Sequence, residues 1–193
     1  MNNKIREITE KLRDLPGISL KLAERLAISI AENPELGKNI ANIRELSKDL
    51  SKDPLTGLII DKNEEPNANK DKDILLIVDS NRDVNNILEK TKTTKSIFIV
   101  GMKNKRDFDS TQKVLDRLFK VVEMYNTQEI LFLLSPSIES ELIMRVVKEE
   151  IVKSDLKTVP KLTRLSMGIP FGGSIEFSDE RTIKEAMNKR EEA

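Results

Sequence analysis

From residue 74 onward, short apolar runs alternate with amphipathic stretches, and that alternation restricts the fold more than any other feature of the chain. The run ILLIVD (74–79) is rich in β-branched residues and too short for a buried helix. NRDVNNILEK follows at helical spacing, and SIFIVG (96–101) is a second strand-like run. After a charged loop comes STQKVLDRLFKVVEMYN, with Val114, Leu118, Val121 and Tyr125 on one helical face. EILFLL (129–134), the helical PSIESELIMRVVKEEIV and LTRLS (162–166) complete the pattern. Strands alternating with helices predict an α/β fold, a mostly parallel sheet flanked by helices. Binding sites in such sheets gather at the carboxyl ends of the strands. The tail GIPFGGSIEFSDERTIKEAMNKR predicts a Gly/Pro-shaped loop, a short strand SIEF and a last helix.

The preceding half is of another kind. Ile5, Ile8 and Leu12 recur at helical spacing, Leu15-Pro16-Gly17-Ile18 interrupts them, and Leu22, Leu26 and Ile30 resume. After Asn33-Pro34, a further stripe runs through Leu36, Ile40, Ile43, Leu46 and Leu50. Residues 51–73 are polar and carry Pro54, Gly57 and Pro66, so they predict a loop or minimal hairpin around LTGLII. The expected organisation is a helical unit at 1–50, a connector at 51–73, a sheet domain at 74–166 and a loop, strand and helix at 167–193.

The chain contains no Cys and no His. That excludes disulfides, thiol nucleophiles, Ser-His-Asp triads and the usual zinc sites. Remaining chemistry would fall to carboxylates, Lys, Arg, hydroxyls or Tyr125, with at most a hard cation such as Mg²⁺. The 33 basic and 33 acidic residues cancel, so nucleic-acid affinity would need a local basic face or several copies acting together. No apolar run is long enough to span a membrane. The charged amphipathic start has no signal-peptide core, so a cytoplasmic location is expected.

Leu15-Pro16-Gly17-Ile18-Ser19-Leu20-Lys21-Leu22-Ala23-Glu24-Arg25-Leu26-Ala27 is the first segment that suggests a function. Gly17 permits a tight turn, and the turn and the helix start after it present backbone N–H groups suited to a phosphate oxygen. Lys21 and Arg25, one helical turn apart, add positive charge beside them. The plainer alternative is a helix–turn–helix corner with solvated cations. The segment resembles a helix-hairpin-helix DNA-binding motif, which implies that Gly17, Ser19, Lys21 and Arg25 face DNA. It departs from the motif at Ser19, where the second glycine is usual.

Carboxylates mark the sheet domain. Asp79 ends the first long strand and Asp83 follows one helical turn on, while Glu139 and Glu141 come after the third. A first-strand acid with a later acidic pair resembles a Toprim domain, whose catalytic members hold Mg²⁺ with such acids for phosphoryl transfer. No counterpart of a topoisomerase tyrosine is evident, since Tyr125 reads as core. Solvated positions or a partner surface are the alternatives to weak Mg²⁺ binding, and a Mg²⁺-dependent nuclease or nickase is the competing functional reading.

The most specific feature lies at the end: Gly168-Ile169-Pro170-Phe171-Gly172-Gly173-Ser174-Ile175-Glu176-Phe177-Ser178-Asp179, then Thr182, Ile183 and Ala186, with Arg164 before it. The glycines favour a structural turn over a phosphate cradle. This pattern resembles the RecR family of recombination mediators, and the hairpin motif, connector and Toprim-like sheet occur in that family's order. Most members carry a four-cysteine zinc finger where residues 51–73 stand; this chain has none. Ser135 and Ser140 also replace the family's Asn and Gly beside the acids. The resemblance implies a non-enzymatic, DNA-binding clamp, a homo-tetramer or dimer, that binds a RecO-like and often a RecF-like partner. Such proteins help load the recombinase on gapped DNA. The resemblance implies no cofactor, and it makes Asp79, Glu139 and Glu141 the acidic partner surface. A third reading is a protein–protein module that no longer binds DNA.

Overall fold

Asn2 opens the first helix by accepting the Lys4 N–H on its side-chain oxygen, and α1 runs Asn3–Arg13. The computed structural model describes residues 2–101, 108–166, 168–169 and 172–188. The chain divides into two units, Met1–Ser51 and Lys52–Ala193. In the first, α2 (Leu20–Glu32) packs on α1, and the small Ala23 and Ala27 are buried one turn apart. Asn33 ends α2 and caps α3 (Pro34–Lys48), whose first residue is the proline favoured there. On the apolar stripe of α3, Leu36, Ile40, Ile43 and Leu46 are 37–64% exposed.

Residues 50–61 form the minimal hairpin anticipated around LTGLII, with β1 (Leu50–Lys52) paired to β2 (Ile59–Asp61). The rest of the second unit is βα repeats: β3 (Asp71–Val78), α4 (Asn81–Thr91), β4 (Lys95–Ile99), α5 (Phe108–Tyr125), β5 (Glu129–Phe132), α6 (Ile138–Lys153), β6 (Lys161–Arg164) and α7 (Glu180–Asn188). The sheet is wholly parallel in the order β4-β3-β5-β6. Period-two alternation sends side chains to opposite faces. Leu75 and Ile77 join Phe98, Ile130 and Phe132 under α5 and α6, whose Leu118, Val121, Val147 and Ile151 are buried there. Leu76 and Val78 join Ile97, Ile99, Leu58 and Val84 on the other side, under α4. Burial on both faces explains why these strands read as continuous apolar runs.

The connector is held by side-chain bonds to backbone. The Asp53 carboxylate accepts the N–H groups of Leu55 and Thr56, and the Thr56 carbonyl accepts the Ile99 N–H at 2.8 Å. Gly57 has φ +79°, and a Cβ there would lie 3.2 Å from the Ile99 Cβ, so a side chain would be both strained and crowded. Asn81 accepts the Ile59 N–H at 2.8 Å and donates to the Gly57 carbonyl at 3.1 Å. Buried Asn67 does the same for Ile97, accepting its N–H and donating to its carbonyl, each at 2.9 Å. The Tyr125 hydroxyl donates to the Pro66 carbonyl at 3.2 Å. Burial pushes that phenol's pKa up and keeps it a donor. Arg117 lies over the Phe98 ring and donates to the Leu55 carbonyl.

These groups are amides, hydroxyls, a carboxylate and a guanidinium, without the thiolates that zinc requires. They do not fit the zinc site borne by most of the resembled family. Among the described residues no cluster of three acidic, His or Cys side chains is placed to hold a metal ion. The thermal midpoint in EDTA is therefore expected to match that in added zinc, measured by circular dichroism. A fall of several degrees in chelator would contradict a metal-free connector.

The tail differs from expectation. SIEF forms no strand; Ile175–Phe177 is a short 3₁₀ turn. Ser174 decides the local conformation. Its hydroxyl accepts the Glu176 N–H, and its carbonyl accepts the Ser178 hydroxyl, so local bonds replace a ladder. Pro170 and Phe171 of the Gly/Pro signature lie outside the described residues. The final helix is present as α7, with the Thr182 N–H and hydroxyl both donating to the Asp179 carboxylate, at 2.9 and 2.6 Å.

Those two bonds from Thr182 hold the Asp179 carboxyl below its ordinary value of 3.8. A lowered carboxyl pKa contributes stability in full above the unfolded value and loses it as pH falls through the folded one. The amino end of α7 is therefore expected to fray as pH falls below 3.8. The Thr182 amide shift in an NMR titration reads this directly, and Asp179→Asn should flatten that titration while retaining a cap.

Candidate functional site

The loop between α1 and α2 makes the first element of the site. Gly17 adopts φ +82° with open space around it, so the left-handed backbone alone calls for glycine there. Ser19 needs no such freedom: at φ −74° and ψ 158° it is extended, and its hydroxyl caps α2 by accepting the Leu22 N–H at 3.3 Å. The serine that replaces the usual glycine thus starts the helix. The amides of Leu20 and Lys21, at the first two positions of α2, have no acceptor within the helix. Lys21 and Arg25 are both exposed, one turn apart on the same helix.

The second element is the carboxyl edge of the sheet. Asp79 follows β3 and is exposed. Ser80 caps α4, accepting the Asp83 N–H while its hydroxyl donates to the Asp83 carboxylate at 2.6 Å, so Asp83 is tied to the helix start. Asp79, Asp83 and Glu139 line one groove of about 600 Å³ floored by Ile87, Leu133 and Ile143. Glu139 and Glu141 both lie in the first turn of α6, where the positive end of the helix dipole favours carboxylates.

Glu141 is not brought to that groove. Two residues on a helix stand roughly 200° apart in rotation. Glu141 instead lines a second, smaller pocket of about 220 Å³, with Arg164 and Thr182. Its Oε1 accepts Arg164 Nη1 at 2.8 Å and Arg181 Nη2 at 2.7 Å. Arg164 Nη2 also lies 3.5 Å from Glu185 Oε1. Ser140, between the two glutamates, turns inward and donates to the Ser135 carbonyl at 2.7 Å, fixing the loop from β5. The sequence marks Arg164 only as part of the C-terminal signature and offers no sign of a role for Arg181. Their partners lie about 20 and 40 positions away in the chain, where no local pattern points to them.

A corner of helix-hairpin-helix form in one unit, and a Toprim-like parallel sheet with an acidic carboxyl edge in the other, fit a protein of DNA recombination and repair. Comparison with known proteins agrees. The family profile described as "RecR, C-terminal" matches residues 168–191. "Recombination protein RecR" of Gloeothece citriformis is 30% identical, over 96% of this chain and 94% of its own length. The proteins of that name from Rippkaea orientalis (29%, 96% and 95%) and Francisella tularensis subsp. novicida (28%, 97% and 94%) are similar in the same way. The chain belongs to the RecR family, as a divergent member without cysteine. Among the described residues, no helix is long and apolar enough to cross a membrane.

Proposed function

We propose that this protein is a non-enzymatic clamp and adaptor for recombinational repair. Several copies hold DNA through the α1–α2 corner and present the acidic sheet edge to a RecO-like protein, with a RecF-like protein as a further partner. Together they load the recombinase on gapped DNA in the cytoplasm. The observation that carries this reading is the corner itself. A glycine in the left-handed region, the first amides of α2 and the exposed Lys21 and Arg25 converge on one short stretch. Such a set contacts phosphates rather than bases.

Homo-oligomerisation, as a tetramer or dimer, reconciles zero net charge with DNA binding. Modest basic corners from linked copies add on one polymer. The acids Asp79, Glu139 and Glu141 serve the partner, with no cofactor required. The competing reading, a Mg²⁺-dependent nickase, has less support, because Glu141 is engaged by two arginines instead of joining Asp79 and Glu139.

Fluorescence anisotropy of a labelled gapped duplex at low salt, combined with solution mass with and without DNA, tests the proposal. Salt-sensitive binding by an oligomer supports it. A monomer that leaves DNA unshifted in dilute buffer refutes it, and Mg²⁺-dependent cleavage lost in Glu139→Gln would favour the nickase.

A further inference from the structure

We propose that Glu141 is a positioning residue: through Arg164 and Arg181 it clasps the C-terminal helix α7 beside the acidic groove, and it reaches a partner only through that helix. The inference rests on the reading of the carboxyl edge as a partner surface. It gives Arg164 and Arg181 a role that the site had not absorbed, and makes the part of Glu141 in partner binding an indirect one.

Geometry carries the argument. Both arginines converge on one carboxylate oxygen, from β6 and from α7, at 2.8 and 2.7 Å. Arg164 extends the chain of charges to Glu185 on the next turn of α7. No residue of α7 is fully buried, and Met187 at its end is exposed. Ile183 and Ala186 are half-buried and give α7 modest apolar cover, to which this network adds a second hold. The network also has a reason to matter to the groove. Leu134, Ser135, Pro136, Ser140 and Leu165 line both the acidic groove and the smaller pocket against α7. That shared wall has Glu139 on one side and Glu141 on the other. Through Thr182, α7 borders this wall from the pocket side, while Asp79, Asp83 and Glu139 line the groove on the other.

Hydrogen exchange in the full chain tests the clasp. Removing one arm of a half-exposed ionic network is worth a few-fold in a local opening equilibrium. Glu141→Gln and Arg181→Gln are each expected to speed exchange of the α7 amides by about fivefold at low salt. High salt should bring the unaltered protein toward the same rates. Arg181→Lys should restore much of the protection, and Glu139→Gln should leave α7 unchanged. Equal α7 exchange in Glu141→Gln and the unaltered chain would overturn the clasp.

A second arm separates positioning from contact. In titrations with the RecO-like protein, Glu141→Gln and Arg181→Gln should weaken binding alike, and the double variant no further, whereas Glu139→Gln should add its own loss. Weakening by Glu141→Gln with none from Arg181→Gln would mean direct contact and refute positioning. If the unaltered chain ignores the RecO-like protein, the partner-surface reading fails, and the exchange experiment still judges the clasp.

Discussion

Replacing Lys21 and Arg25 together with Ala is expected to reduce DNA affinity by more than an order of magnitude at low salt and to leave folding intact. Each cation that neutralises a phosphate releases condensed counterions, so its loss lowers affinity and flattens the salt dependence together. For two cations, the slope of log affinity against log salt should shrink by about 1.8 on duplex and about 1.4 on single strands for each subunit engaged. With several corners on one strand the losses compound. The same substitutions should cost about 0.5 kcal/mol or less in stability, because both side chains are exposed and neither makes a core contact. A salt titration of anisotropy, paired with a thermal melt, reads both numbers. Unchanged slope with unchanged affinity would remove the α1–α2 corner as the DNA-contacting element. Sequence-dependent loss would also be inconsistent with it, since phosphate contacts carry no base information.

Asn67→Ala is expected to be the most damaging single change in the connector, by about 2–4 kcal/mol. The amide meets both the N–H and the carbonyl of Ile97 at 2.9 Å in a buried setting. Truncation would orphan two backbone groups, each costing about 1–3 kcal/mol when left dry. Asn67 also sits at φ +59°, where Asn is tolerated better than Ala. Asn67→Gly separates the two effects by relieving the backbone and still losing the bonds. Asn67→Asp keeps the acceptor and sets a second oxygen against the Ile97 carbonyl, so it should rescue little. Urea unfolding followed by far-UV circular dichroism gives the comparison. If Gly restores the stability of the unaltered chain, the bonds to Ile97 carry none of it and the argument fails.

Particular residues show how much of this was legible beforehand. β3, β4 and β5 and their helices are legible because strands buried on both faces are largely apolar and the helices covering them amphipathic, whereas the half-exposed KLTR of β6 is legible only from its place in the alternation. The corner was legible for a similar reason: Gly17 and the start of α2 are local in sequence, so their geometry is written in adjacent residues. What escaped is long-range or depends on neighbours. The stripe on α3 has the spacing of a packed face, yet Leu36, Ile40, Ile43 and Leu46 are exposed. Ser174 drew SIEF into a turn through bonds invisible to a period-two pattern. Asn67 reads as one more polar loop residue, and only the meeting with Ile97, thirty positions away, gives it a task. Glu139 and Glu141 looked like a pair in sequence, but helical rotation sets them on opposite sides of a shared wall.

The bonds from Thr56 and Asn67 to β4 have a consequence beyond stability. β4 is the outermost strand on its side, and its core, SIFIV, is apolar and uncharged. Left bare, such a border templates further strands and seeds aggregates. The cysteine-free connector occupies the outward amides of Ile97 and Ile99 and so acts as a guard against intermolecular β-pairing.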